Sequence, residues 1–196
     1  MALVVLSHVG CGQKAAPAAP SPASLEGKKI VMIIAHQDFR DDEYQKPRQL
    51  FESRGAAVTV ACSSLDTAKG MLGAEVKPDI LLNDVKVETY DVILFVGGPG
   101  ASQYWEDPTA HAIAREAVEK KKVLAAICLA PATLAKAGVL RDKKATVFSS
   151  AAGDLEAEGC IYTGQDVERD GLIITANGPN ATEKFAEEIV KALVAK

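Results

Sequence analysis

Four cysteines, Cys11, Cys62, Cys128 and Cys160, are the side chains here best suited to nucleophilic or redox chemistry, and one of them stands at a joint. Cys128 lies in the run VLAAICLAPATLAKA, between an apolar stretch of strand length and a helix-like one. A thiol on a sharp strand-to-helix turn is pushed out over the sheet edge, and so tight a turn demands small residues two before and two after it. Ala126 and Ala130 meet that demand. At a helix N-terminus, unpaired N–H groups and the helix dipole favour thiolate, so a lowered thiol pKa is expected. The competing reading is packing, because free cysteine is a common buried residue.

The remaining candidates carry less. The cysteines have neither C-x-x-C spacing nor the density of a disulfide scaffold, and Cys62 reads as packing. Cys160 reads either as packing or as a resolving thiol for oxidised Cys128. Of three histidines, His36 ends the first apolar run and could serve Cys128 as a base, or simply be a hydrogen-bonded loop residue. His111 falls on an exposed helix. No cluster with metal-ligand spacing is present, so no metal is expected.

The elements that must position these residues alternate. Lys29 to Ala35, Ala57 to Cys62, Asp91 to Val96, Val123 to Ile127 and Leu172 to Thr175 are apolar runs of strand length. Between them the spacing predicts helices from Asp41 to Arg54, from Pro108 behind an Asp107 cap, and from Leu129 onward. Asn180 and Glu183 read as the cap and third-position acid of a terminal helix reaching about Ala195. Unbroken apolar strands separated by helices mean a parallel sheet covered on both faces, an α/β doubly wound fold. Such a fold places its site at the carboxyl ends of the strands. Cys128, Gly97-Gly98 and the segment His36 to Glu43 all fall there.

The 196 residues, 48% hydrophobic and 24% charged, suffice for one well-buried core. A net charge of −4 without a concentrated basic block makes nucleic acid an unsuitable partner. Residues 1–27 differ: a short apolar run ends at Cys11, and AAPAAPSPAS follows as a linker. The run is similar to a bacterial lipoprotein signal with Cys11 as the lipidated residue, although no positive charge precedes Lys14. An exported protein tethered to membrane by its N-terminal lipid is the expectation, and a cytoplasmic protein with a non-signal tail is the alternative.

The segment AHQDFRDDEY, the loop VGGPGA, the run AAICLAP with its helix and the tail VERDGLIITANGP together resemble the ThiJ/PfpI family, the superfamily of DJ-one. The similarity covers residues 28–196. It implies a flavodoxin-like, class I glutamine amidotransferase-like sandwich, a homodimer, and Cys128 as the elbow nucleophile. It further implies Glu43 as the acid touching the sulfur, with the backbone N–H groups of Gly98 and Leu129 holding an oxyanion. Read without the resemblance, Glu43 is equally an ordinary first-turn acid favouring the helix dipole. A carboxylate beside a thiolate is a like-charge pair, so a protonated Glu43 donating to sulfur is the favourable arrangement.

Two departures narrow the activity. Relatives with thiol-protease chemistry have histidine directly after the nucleophile, where this chain has Leu129; an amidotransferase triad needs a histidine downstream, and the last one, His111, lies upstream. The expected function is glyoxalase- or deglycase-like action on small reactive carbonyls without a cofactor. The alternatives are a redox-responsive or chaperone-like dimer and, third, a cysteine peptidase.

Overall fold

The computed structural model describes residues 23–195, so the expected lipidation site Cys11 and the apolar run before it lie outside the described residues. The chain forms β1 (Lys29–Ile33), β2 (Gln37–Phe39), α1 (Asp41–Ser53), β3 (Ala57–Cys62), β4 (Ala68–Gly70), β5 (Glu75–Val76) and β6 (Ile80–Leu81). It continues through β7 (Val92–Phe95), α2 (Pro108–Glu119), β8 (Val123–Ile127), α3 (Pro131–Lys136), β9 (Lys144–Ala145) and α4 (Ala152–Ala157). Last come β10 (Ile161–Tyr162), β11 (Val167–Asp170), β12 (Ile173–Ala176) and α5 (Thr182–Val194).

A seven-stranded sheet in the order β11-β12-β8-β7-β1-β3-β6 is parallel throughout except for the antiparallel edge strand β11. Its two faces explain the unbroken apolar runs. Along β1, Ile30 and Met32 pack with Phe51 of α1 and Phe185 of α5. Val31 and Ile33 pack on the other side with Ile113 of α2, Leu134 of α3 and Leu155 of α4. Ile30 to Ile33 are therefore buried whichever way they point, and each such aliphatic side chain contributes about 1.5–3 kcal/mol. None of the described helices is long and apolar enough to cross a membrane.

Local chemistry sets several boundaries. The Asp107 side chain accepts from Ala110 N–H at 2.8 Å, with Pro108 in the first helical position, so α2 starts where its cap requires. Asn180 forms no such cap: a short 3₁₀ turn over Pro179–Ala181 leads into α5, and Thr182 donates to the Pro179 carbonyl instead. The helix expected from Leu129 begins at Pro131, because residues 128–130 are consumed by the turn.

Topology then creates a crevice. From β1 the chain moves to β3 on one side and later returns to β7 on the other, so the loops leaving β1 and β7 diverge at a switch point. The loop leaving β8 lies one strand further along.

Candidate active site

Cys128 directly follows β8 and lies in the left-handed region, at φ 61°, a conformation that costs a non-glycine residue about 1–3 kcal/mol. The turn is held on both sides: Cys128 N–H donates to the Ala176 carbonyl and its own carbonyl accepts from Phe148 N–H, each at 2.9 Å. Ala126 and Ala130 flank it in the core, 0% and 1% exposed, where larger side chains would collide with the sheet and the neighbouring helix. Trp105 Nε1 donates to the Leu129 carbonyl at 3.1 Å and fixes the far limb of the turn.

Glu43 arrives from the first turn of α1 and is fully buried. Gly97 is what lets the two groups meet. A Cβ at Gly97 would overlap Glu43 Oε2 and fall 2.5 Å from Cys128 Cβ, so only glycine leaves room for carboxyl and thiol together. Gly98, at φ 100°, lets the backbone of residues 38–40 press equally close, and Arg40 N–H donates to the Gly97 carbonyl at 2.9 Å. The loop after β7 is therefore the surface against which α1 is seated.

Neither Glu43 oxygen has a well-formed hydrogen-bond partner; the Cys128 sulfur and Gly97 N–H are uncharged polar groups near enough to bear on its charge. Burial, reinforced by Asp42, pushes the carboxyl up to about 8. Burial and then the Glu43 charge push the Cys128 thiol up to about 12, while the N–H groups of Gly98 and Leu129 act in the opposite direction. The expectation of a lowered thiol pKa is therefore corrected. The helix after the turn has six residues and begins three positions beyond the sulfur, so its dipole contributes little, and burial beside an acid outweighs two amides. Near neutral pH the pair holds its protons, with the carboxyl a donor facing the sulfur.

Arg40 was not singled out by sequence, although it stands in the same segment as Glu43. Its guanidinium pairs with Asp42 at 2.7 Å and lies close enough for its charge to act on both Glu43 and Cys128. The sequence signal was an arginine directly ahead of three consecutive acids at a helix start.

The other candidates lie apart. No hydrogen bond links the His36 ring to Cys128 or Glu43; its backbone N–H faces Gln103 Oε1 at 3.4 Å and its Nδ1 is buried without a partner. Cys160 donates to the Lys143 carbonyl at 3.3 Å. Lys144 is tied to Asp170, which pairs with Ile173, which pairs with Leu124, so Cys160 sits near the level of Leu124. That is four residues before Cys128 on β8, roughly 13 Å at strand rise, whereas a disulfide needs Cα atoms within about 7 Å. Cys160 packs in the opposite core layer, and all three described cysteines are free. It is not placed as a resolving thiol. Among the described residues no three His, Cys, Asp or Glu side chains converge as a metal site would require. A groove of about 560 Å³ between α1 and α5, lined by residues that include Lys46, Leu50, Glu183 and Glu187, contains no cysteine or histidine and is crossed by the Lys46–Glu183 ion pair.

Fold and site together define an α/β protein with a cysteine at a nucleophile elbow and a buried acid beside it. The chain belongs to the DJ-1/PfpI family, whose model matches residues 28–192. An uncharacterized protein of Methanocaldococcus jannaschii is 38% identical over 173 residues, covering 87% of this chain and 84% of that protein. The glutathione-independent glyoxalase DJR-1.2 of Caenorhabditis elegans is 28% identical, covering 85% and 89%. The crystal structure of a ThiJ/PfpI domain protein from Brachyspira murdochii superposes with a TM-score of 0.84 at 29% identity, covering 87% of this chain and 99% of that one.

Proposed function

We propose that the protein is a cofactor-independent enzyme that uses Cys128 and Glu43 on small reactive carbonyls, in the manner of a glyoxalase. The carrying observation is a fully buried carboxyl, pushed up to about 8, whose oxygens lack any other well-formed partner and lie beside the thiol. A group titrating near working pH and touching a nucleophile is suited to shuttle protons. The similarity to a glyoxalase of Caenorhabditis elegans supports the same chemistry.

With methylglyoxal, the sulfur would add to the aldehyde carbon while its proton passes to the carbonyl oxygen, giving a hemithioacetal. The Gly98 and Leu129 amides stabilise negative charge as it develops. Glu43, as carboxylate, then removes the hydrogen of that carbon as a proton and returns one to the adjacent carbon. The aldehyde carbon is thereby oxidised and the ketone carbon reduced within one molecule. Water hydrolyses the resulting thioester to lactate and restores the thiol. In this reading the protein works as a homodimer.

The test is methylglyoxal incubated with wild type and Cys128→Ala. Lactate formed by wild type and reduced about 10³-fold or more in the variant is expected, as for loss of a nucleophile. No lactate from wild type, together with sulfinic acid at Cys128 under low peroxide, would assign the thiol to redox response instead.

A further inference from the structure

Next to the backbone of the turn that carries Cys128 lies a cavity of about 300 Å³ that the reaction of a three-carbon dicarbonyl leaves unused. Its size falls at the lower end of sites that enclose a small molecule, roughly 300–1,000 Å³. Two backbone hydrogen bonds join it to the nucleophile. Phe148, in its wall, donates to the Cys128 carbonyl, and Ala176, which accepts from Cys128 N–H, is followed directly by Asn177, also in its wall. The wall is therefore fixed to the same turn that presents the sulfur.

The lining has a consistent chemistry. It contains the hydroxyls of Ser149 and Tyr162, the amides of Asn177 and Asn180, and the rings of Phe148 and Tyr162, but no acidic or basic side chain. Asn177 donates one hydrogen bond to Asp166 at 3.4 Å, leaving its carbonyl oxygen and second N–H hydrogen for another partner. The Phe148 ring is 43% exposed and lies over Gly178, where a Cβ would come within 3.3 Å of it. A carboxylate or phosphate would find no cation here to offset its lost hydration. Hydroxyl groups would find donors and acceptors, and the C–H face of a sugar chain would find aromatic surface.

We propose that this cavity binds the hydroxylated remainder of a neutral, sugar-derived 1,2-dicarbonyl whose aldehyde carbon meets the Cys128 sulfur, an assignment that rests on the carbonyl chemistry above. Ser149, Tyr162, Asn177 and Asn180 select for hydroxyls, and Phe148 supports the carbon chain. The cavity acts on recognition, not on the proton transfers.

Kinetics with the hexose-derived dicarbonyl glucosone and with methylglyoxal test it in wild type and Ser149→Trp, which fills the cavity from an exposed position. Wild type should show a KM about tenfold lower for glucosone, and Ser149→Trp should erase that preference, within the range one pocket contact commonly commands. Equal KM values in wild type, or equal changes for both compounds in the variant, would overturn the subsite while Cys128-dependent turnover kept the carbonyl reading intact. If neither compound is turned over, the carbonyl reading fails and the cavity is read separately, by iodoacetamide labelling of Cys128 with glucosone present. Labelling slowed severalfold in wild type and restored in Ser149→Trp supports the cavity, and unchanged labelling overturns it. Should Ser149→Trp not fold, Asn180→Trp blocks the same space from another exposed position.

Discussion

Cys128 and Cys160 are almost equally buried, 7% and 8% exposed, and burial raises the pKa of both. Their surroundings nevertheless differ in kind. Cys160 donates its thiol hydrogen to the Lys143 carbonyl and has one backbone N–H, that of Ala145, acting to lower its pKa. Cys128 faces two N–H donors and a carboxyl that can hold or release a proton. Exposure alone would rank the two together; what distinguishes them is that Cys128 has a second N–H donor and a buried carboxyl able to hold or pass on a proton.

The strongest way to break this contrast is to displace the acid without touching either cysteine. Gly97→Ala puts a methyl group onto Glu43 Oε2 and close to Cys128 Cβ. Turnover of methylglyoxal should fall by about 10² or more, the range lost with a misplaced acid–base group, with a stability loss of about 1–3 kcal/mol from overpacking. Cys160→Ala should leave turnover within about twofold, as expected for a site well separated from the chemistry.

Glu43→Gln sharpens the comparison through pH. Because the folded state holds the Glu43 proton up to about 8, it binds more protons than the unfolded chain between about 4.5 and 8. Wild-type stability should therefore decline as pH rises through that window, by at most about 1.4 kcal/mol per pH unit. Urea midpoints at pH 5 and pH 8 should differ less in Glu43→Gln; an unchanged difference would mean the carboxyl is not held neutral. Alkylation of Cys128 should begin at lower pH in the variant, since the repelling carboxylate is gone, while Cys160 should not respond. The smallest effect is expected from Trp105→Phe, which removes one hydrogen bond to the Leu129 carbonyl. Loss of about 0.5–1.5 kcal/mol should appear in thermal melting, with a severalfold slower turnover.

Much of this was visible before the chain was folded. The five apolar runs became central strands because a sheet covered on both sides favours apolar residues along them, and that pattern is local. The edge strand β11 and the short β4–β5 hairpin were not legible: VERD and AKG are polar, and pairing with β12 or β2 makes them strands. Asn180 looked like a cap, but Thr182 and a 3₁₀ turn served the same need.

By itself the sequence determined the alternating architecture, the tight turn at Cys128 and the loops that end near it, because these follow from periodicity, small flanking residues and glycine. Tertiary structure decided the rest. Glu43 and Cys128 lie 85 positions apart in the chain, and their meeting depends on β7 and its Gly97 standing between β1 and β8. The direction in which the thiol titrates was likewise a tertiary matter, since it is the balance of burial, one acid and two amides, and none of those can be weighed until the chain has closed around the sulfur.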